Sequence, residues 1–235
     1  KFSHDIEYTT GSLTKNSEII ITEKTKLLLR QTSTALITII AITSAIGIAI
    51  SRPMMQLILV HGKVTEKQGL LSANVLCGFL IFASAFSFYV FIVRLSNVIG
   101  KTKDIFKINV VQNLLNVVLA LIFIQISPII GLSFAYSLSY FLVMPFIFVL
   151  VSKNFKTSPI NLKPVLIVLI SAAIGAIVGL RISTMFDSSI VGILAAGSIC
   201  VLIVAIGSHF AREELIPLFK IFFNRHDKDI EELAR

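Results

Sequence analysis

Six stretches of this chain stay apolar over the thickness of a bilayer, at about residues 34–50, 70–93, 105–126, 131–151, 164–180 and 190–210. A helix rises about 1.5 Å per residue, so about 20 residues cover the ~30 Å hydrocarbon layer. In that layer backbone N–H and C=O groups must be satisfied within the chain, and a helix does this with its own ladder. The composition agrees: 55% of residues are hydrophobic and 14% charged, where a soluble domain carries about a quarter charged. The expected fold is all-α, a polytopic transmembrane bundle of about six spans.

The basic residues fall unevenly between these blocks. Five precede the first span, four separate the second from the third, three separate the fourth from the fifth, and five follow the sixth. The intervening segments hold three, none and one, so alternate sides carry 17 and 4. Lys and Arg are retained on the cytoplasmic side, so both ends of the chain are expected in the cytoplasm, as an even number of spans requires. The net charge of +8 then follows from topology and anionic lipid, and nucleic acid is not needed to explain it. Cys77 and Cys200 lie within spans, which argues against a disulfide framework.

Punctuation along the chain sets the segments. Residues 1–30 form a polar cytoplasmic segment with an amphipathic helix expected over 18–29. The chain opens on Lys1 without a signal peptide, which reads as the interior of a longer protein. Four spans follow within 31–151. Ser51-Arg52-Pro53 is expected to end the first helix, because proline disfavours helix at the residue before it. A short apolar run, 54–60, then reaches a turn at His61-Gly62-Lys63. Ser127-Pro128-Ile129-Ile130 joins the third and fourth spans so tightly that they must form an antiparallel hairpin. Pro145 is expected to kink the fourth span, and Asp104 and Asp187 are placed in loops. Residues 152–163 form a cytoplasmic loop, and Pro164 opens the first of two final spans within 164–210. An interfacial helix over 211–223 and a charged tail complete 211–235. Small residues at four-residue spacing, such as Ala41, Ala45 and Ala49 or Gly175 and Gly179, let helix backbones approach closely and indicate packing.

The third span carries four amides in its first half, Asn109, Gln112, Asn113 and Asn116. Spaced three and four apart, they share one helix face. In hydrocarbon that face must look inward, toward a partner or a wet cavity. Two readings stand: the amides bond neighbouring helices, or they line a hydrated path and coordinate a cation through their carbonyl oxygens. Arg94, Asn74 and Asn97 read as interfacial, Arg94 by snorkelling. His61 and His209 lack partners at ligand spacing, so no metal is expected. No phosphate loop, nucleophile elbow or intramembrane carboxylate pair is present, so neither an enzyme nor a cofactor is expected.

The order of motifs resembles a known family. Arg52-Pro53 followed by Leu57 through Thr65, then Arg94-Leu95-Ser96-Asn97-Val98-Ile99-Gly100-Lys101-Thr102-Lys103, is similar to two successive turns of the MurJ/MviN lipid II flippases. Lys107-Ile108 through Asn116, continuing to Gly131-Leu132-Ser133-Phe134-Ala135-Tyr136-Ser137, resembles that family's hairpin without a gap. Arg212-Glu213-Glu214-Leu215 is similar to the ends of actinobacterial members. The resemblance covers nearly the whole chain but only the C-terminal half of a flippase of about fourteen helices.

It implies a bundle of the multidrug/oligosaccharidyl-lipid/polysaccharide exporter type, with 31–151 as four helices of the second lobe and 164–210 as two extra helices. Such proteins move undecaprenyl-linked peptidoglycan precursor across the bacterial cytoplasmic membrane by alternating access, and the extra helices form a groove thought to take the lipid tail. The family's essential arginines are expected upstream of this chain. Some members bind a cation near this hairpin; here Asn116 takes that site's asparagine position, Ala120 stands where Asn or Asp is usual, and Tyr136 replaces a smaller hydroxyl residue, which leaves the site incomplete. The implied partners are the lipid-linked precursor and membrane lipids, with a monovalent cation and cell-wall synthesis proteins as optional ones. Rival readings are a flippase for another polyprenyl-linked glycan, a small-molecule antiporter of the same superfamily, or a membrane scaffold whose amides serve only helix packing.

Overall fold

A computed structural model describes residues 23–60, 63–186 and 188–211. Residues 18–22 of the expected amphipathic helix, His61-Gly62 of the expected turn, Asp187 and the expected interfacial helix beyond Ala211 lie outside them. Among the described residues the chain forms α1 (Glu23–Leu59), α2 (Glu66–Leu80), α3 (Ala83–Val98), α4 (Thr102–Phe123), α5 (Pro128–Phe155), α6 (Leu162–Ser183) and α7 (Ser189–Phe210). Five of these are long and apolar enough to cross a membrane, and the bent pair α2 with α3 makes a sixth candidate if the two count as one span. Leu114, Leu121, Val149, Leu194 and Leu202 are each more than 60% exposed. Side chains of that kind on the outer faces of α4, α5 and α7 suit lipid rather than water.

Two expectations about the first half are overturned. Pro53 does not end the first helix; α1 runs through it for another turn and a half to Leu59. Proline removes one N–H from the ladder, but the residues that follow resume it, as the Val60 N–H donating to the Gln56 C=O at 3.1 Å shows. The ring fits because α7 is narrow there: a side chain at Gly192 would begin 3.4 Å from Pro53 Cβ. From Glu23 onward the expected amphipathic helix does lead into the first span, as one helix with it.

The second span is not one helix. It breaks at Ile81–Phe82, where α2 and α3 meet at 47°. No proline lies there. Instead the Ser137 hydroxyl of α5 donates to the Gly78 C=O at 2.6 Å, a carbonyl in the last turn of α2. An inserted side chain beside glycine is an established cause of such breaks.

Local signals explain other boundaries. Thr65 caps α2 in a reciprocal box: Gln68 N–H donates to Thr65 Oγ1, and Thr65 N–H donates to Gln68 Oε1 at 2.9 Å. Pro128 opens α5 in its first turn, after Ser127, and Lys156 closes it in the left-handed region at φ 51°. Asp104 lies in the first turn of α4 rather than in a loop, where a carboxylate favours the helix dipole. Pro145 sits on an exposed face inside α5, which is assigned as one helix through it.

Helix α1 is the hub, packed by α2 and α3 on one side and by α6 and α7 on the other. Two apolar cores result. One joins α1, α3, α5 and the start of α6 through Leu29, Phe88, Ile92, Val143, Ile147 and Val165. The other joins α1, α6 and α7 through small residues including Ala45, Ala49, Ala172, Ala176 and Cys200. Asn161 N–H donates to Thr34 Oγ1 at 3.0 Å, so the N-terminal part of α1 and the start of α6 share one end of the bundle. By chain direction, the end of α3, the start of α4 and the end of α5 lie there too. That end gathers Lys26, Arg30, Arg94, Lys101, Lys103, Lys107, Lys153, Lys156 and Lys163. Arg52, Lys63, Lys67 and Arg181 lie toward the other.

Candidate functional site

The four amides of α4 do not share one environment. Gln112 is buried, 3% exposed, and its Nε2 donates to Ser139 Oγ of α5 at 3.0 Å. The Ser139 hydroxyl in turn donates to the Tyr136 C=O at 2.7 Å, so one serine serves both helices. Asn109 is half-buried and its Oδ1 accepts from the Tyr89 hydroxyl of α3. Asn113 is exposed and its amide folds back to donate to the Asn109 C=O at 2.9 Å. Asn116 is half-buried. The face is therefore graded: Gln112 points into the bundle, and Asn113, 100° further round the helix, does not.

Tyr136 lies in an aromatic group rather than among carboxylates or amides. Its ring meets Phe79 at 5.7 Å and Tyr140 at 5.1 Å, both edge-on, and the Tyr140 hydroxyl donates to its oxygen at 3.4 Å. Tyr89 continues the group, its ring 5.1 Å from that of Tyr140. The result is a column of three phenols crossing from α5 to α3 and ending on Asn109. Sequence reasoning passed over Tyr89, Tyr140 and Ser139. The spacing of Tyr136 and Tyr140 was a usable signal, since residues four apart share a helix face. The pairing of Ser139 with Gln112 depends on how two helices register and had none.

A second feature is a groove of about 360 Å³ bounded by α1, the α2–α3 break and α6. Ser44, Ala45, Cys77, Ile81, Ala172 and Ala176 are among its lining residues. Small side chains leave the space, and Cys77, Leu80, Ile81 and Ser84 beside the bend line it on one side. Cys77 donates its thiol to Ser51 Oγ at 3.2 Å, and both cysteines are free. Among the described residues no three His, Cys, Asp or Glu side chains lie close enough together to hold a metal ion.

Residues 14–224 match the family described as lipid II flippase MurJ. The chain belongs to that family. It is also similar to a solved structure, "Lipid II flippase MurJ, inward closed conformation", at 21% identity and a TM-score of 0.68. The match covers 81% of this chain and 40% of that one, so the chain spans well under half the length of its solved relative. No match is found among curated proteins. The fold is thus that of a multi-pass MurJ-type membrane protein, in a family named for moving a lipid rather than for making or breaking bonds.

Proposed function

We propose that the chain is the C-terminal part of a flippase that carries undecaprenyl-linked peptidoglycan precursor across the bacterial cytoplasmic membrane by alternating access. The observation that carries this reading is the family match over residues 14–224. The nine basic residues gathered at one end of the bundle support an orientation with both ends of the chain in the cytoplasm. The groove between α1, the helix break and α6 is apolar and lies beside the middle of α1 and α6, which suits a stretch of polyprenyl chain. The polar face of α4 and the phenol column belong to the interior of the second lobe, with Asn116 and Tyr136 the remnant of a cation site that Ala120 leaves incomplete.

The test is rescue. The full-length protein containing this chain is expected to restore growth when a host's own lipid II flippase is depleted. Normal insertion without rescue, with precursor retained on the cytoplasmic side, overturns the assignment. One observation favours a second reading, a membrane scaffold: Gln112 and Asn109 are bonded to neighbouring helices, which is what amides used only for packing do. Under that reading, replacing Asn113 and Asn116 with Leu leaves function intact and partner proteins associated; under the transport reading it lowers flipping.

A further inference from the structure

We propose that the α2–α3 break is a hinge latched by Ser137, and that the latch holds the groove open. Four observations converge on it. The break has no proline to enforce it, so it depends on what α5 supplies. Ser137, 2% exposed, gives its proton to the Gly78 C=O at 2.6 Å and lies 3.1 Å from the Phe134 C=O of its own helix. Gly78 admits this approach because it has no side chain: a Cβ there would meet Ser133 Oγ and come within 3.3 Å of the Phe134 nitrogen. Finally, the residues flanking the break, Cys77, Leu80, Ile81 and Ser84, are the ones that line the groove on that side.

The physical consequence is a two-state element. With Ser137 engaged, the Gly78 carbonyl is satisfied from outside and the helix stays bent. Without it, that carbonyl is left at bilayer depth, and the nearest donor is the N–H four residues on, at Phe82. Making that bond joins α2 to α3. The joined helix draws Leu80 and Ile81 across the groove mouth, and Phe82 leaves its stack on Phe141, now at a ring separation of 4.7 Å. The hinge works at the level of this chain's own helices and is independent of what the full protein carries.

The test uses the full chain in lipid nanodiscs and two readouts, neither of them transport. Cys77 lines the groove and Cys200 is fully buried, so a membrane-permeant maleimide reports on Cys77. In Ser137→Ala its labelling is expected to slow about tenfold, the loss of one hydrogen bond's worth of bias, while Ser137→Thr labels as the parent does. Spin labels at the exposed Lys67 and Val98 are expected to move apart by about 4 Å in Ser137→Ala, since straightening the 47° bend lengthens the pair of helices by that much at 1.5 Å per residue. Unchanged labelling and unchanged distance in a folded Ser137→Ala protein overturn the proposal. If Ser137→Ala does not fold, Gly78→Ala decides the matter: it pushes α5 away, and a distance equal to the parent's in that variant overturns the proposal equally.

Discussion

Replacing Ser139 with Ala is expected to destabilise the bundle more than removing the larger amide it faces. The asymmetry comes from who depends on whom. Gln112 Nε2 has Ser139 Oγ as its acceptor at 3.0 Å, in a site where both residues are almost fully buried. Ser139→Ala leaves that amide donor without a partner at bilayer depth, a cost of about 1–3 kcal/mol. Gln112→Leu instead removes the polar group and keeps the volume, while the Ser139 hydroxyl still donates to the Tyr136 C=O; the expected change is within about 0.5 kcal/mol. The double variant is expected to match Gln112→Leu alone, so the coupling equals the Ser139→Ala cost of about 1–3 kcal/mol, above the ~0.6 average for interhelical bonds in membranes and near or beyond their ~1.7 maximum. Equilibrium unfolding of the four proteins in mixed micelles, followed by circular dichroism, measures the cycle. Additive effects refute the pairing, and a Gln112→Leu protein as damaged as Ser139→Ala refutes the asymmetry. The same variant separates packing from passage: a folded full-length protein with Gln112→Leu that no longer flips substrate puts the amide in the path.

Three further outcomes follow from close contacts and caps. Gly179→Val is expected to cost about 1–3 kcal/mol by overpacking, because even a Cβ there would lie 2.5 Å from Ala49 Cβ and 3.1 Å from the Ala196 carbonyl oxygen; Gly197→Ala, whose Cβ would meet only Ile50 at 3.6 Å, is the neutral control in the same unfolding assay. Thr65→Ala removes the capping box of α2 and is expected to cost about 1 kcal/mol, read as faster hydrogen exchange confined to the first turn of that helix. Cysteines placed at the exposed Lys156 and Thr65 are expected to react with an impermeant maleimide from the cytoplasmic and the outer side respectively, and the reverse pattern would sink the orientation.

What the sequence made legible was whatever bilayer thickness and chain punctuation decide. Apolar runs of membrane length gave the spans, and Pro128 marked a hairpin that the structure builds between Phe123 and Pro128. What it hid depended on a neighbour. Pro53 looked like a stop, and only Gly192 on α7 shows why the ring is accommodated inside a helix. The break at Ile81–Phe82 falls in an unremarkable apolar run, and its cause is a hydroxyl 59 positions away. The amides were visible as a face, but the helical period alone could not say which of them meets α5, because that is set by the rotation of α4 in the bundle.

That rotation also says how firmly α4 is held. Interhelical attraction in lipid comes from close packing and polar pairs, since apolar burial favours neither state. The α1–α6–α7 group uses the first: Gly175 faces Cys200, Gly179 faces Ala49, and Gly207 faces Ser171, each leaving little or no room for a side chain. Helix α4 uses the second. Only 11% of its most apolar window is buried, it packs on α5 but meets α3 sparsely, and its side-chain bonds to other helices are Tyr89–Asn109 and Gln112–Ser139. Where the released groups find other partners, such bonds are worth roughly 0.6 kcal/mol each on average, so the two together add only about 1 kcal/mol to the hold of α5 on this helix. Helix α4, held mainly by α5, is therefore expected to rearrange more cheaply than the close-packed α1, α6 and α7. Hydrogen exchange of the chain in nanodiscs is expected to run about tenfold faster in the middle of α4 than in the middle of α6, a difference of ~1.4 kcal/mol in local opening. Tyr89→Phe should widen that gap by freeing α4 from α3. Equal protection of the two helices would mean that α4 is fixed by contacts other than these two bonds, and would remove the basis for treating it as the mobile element.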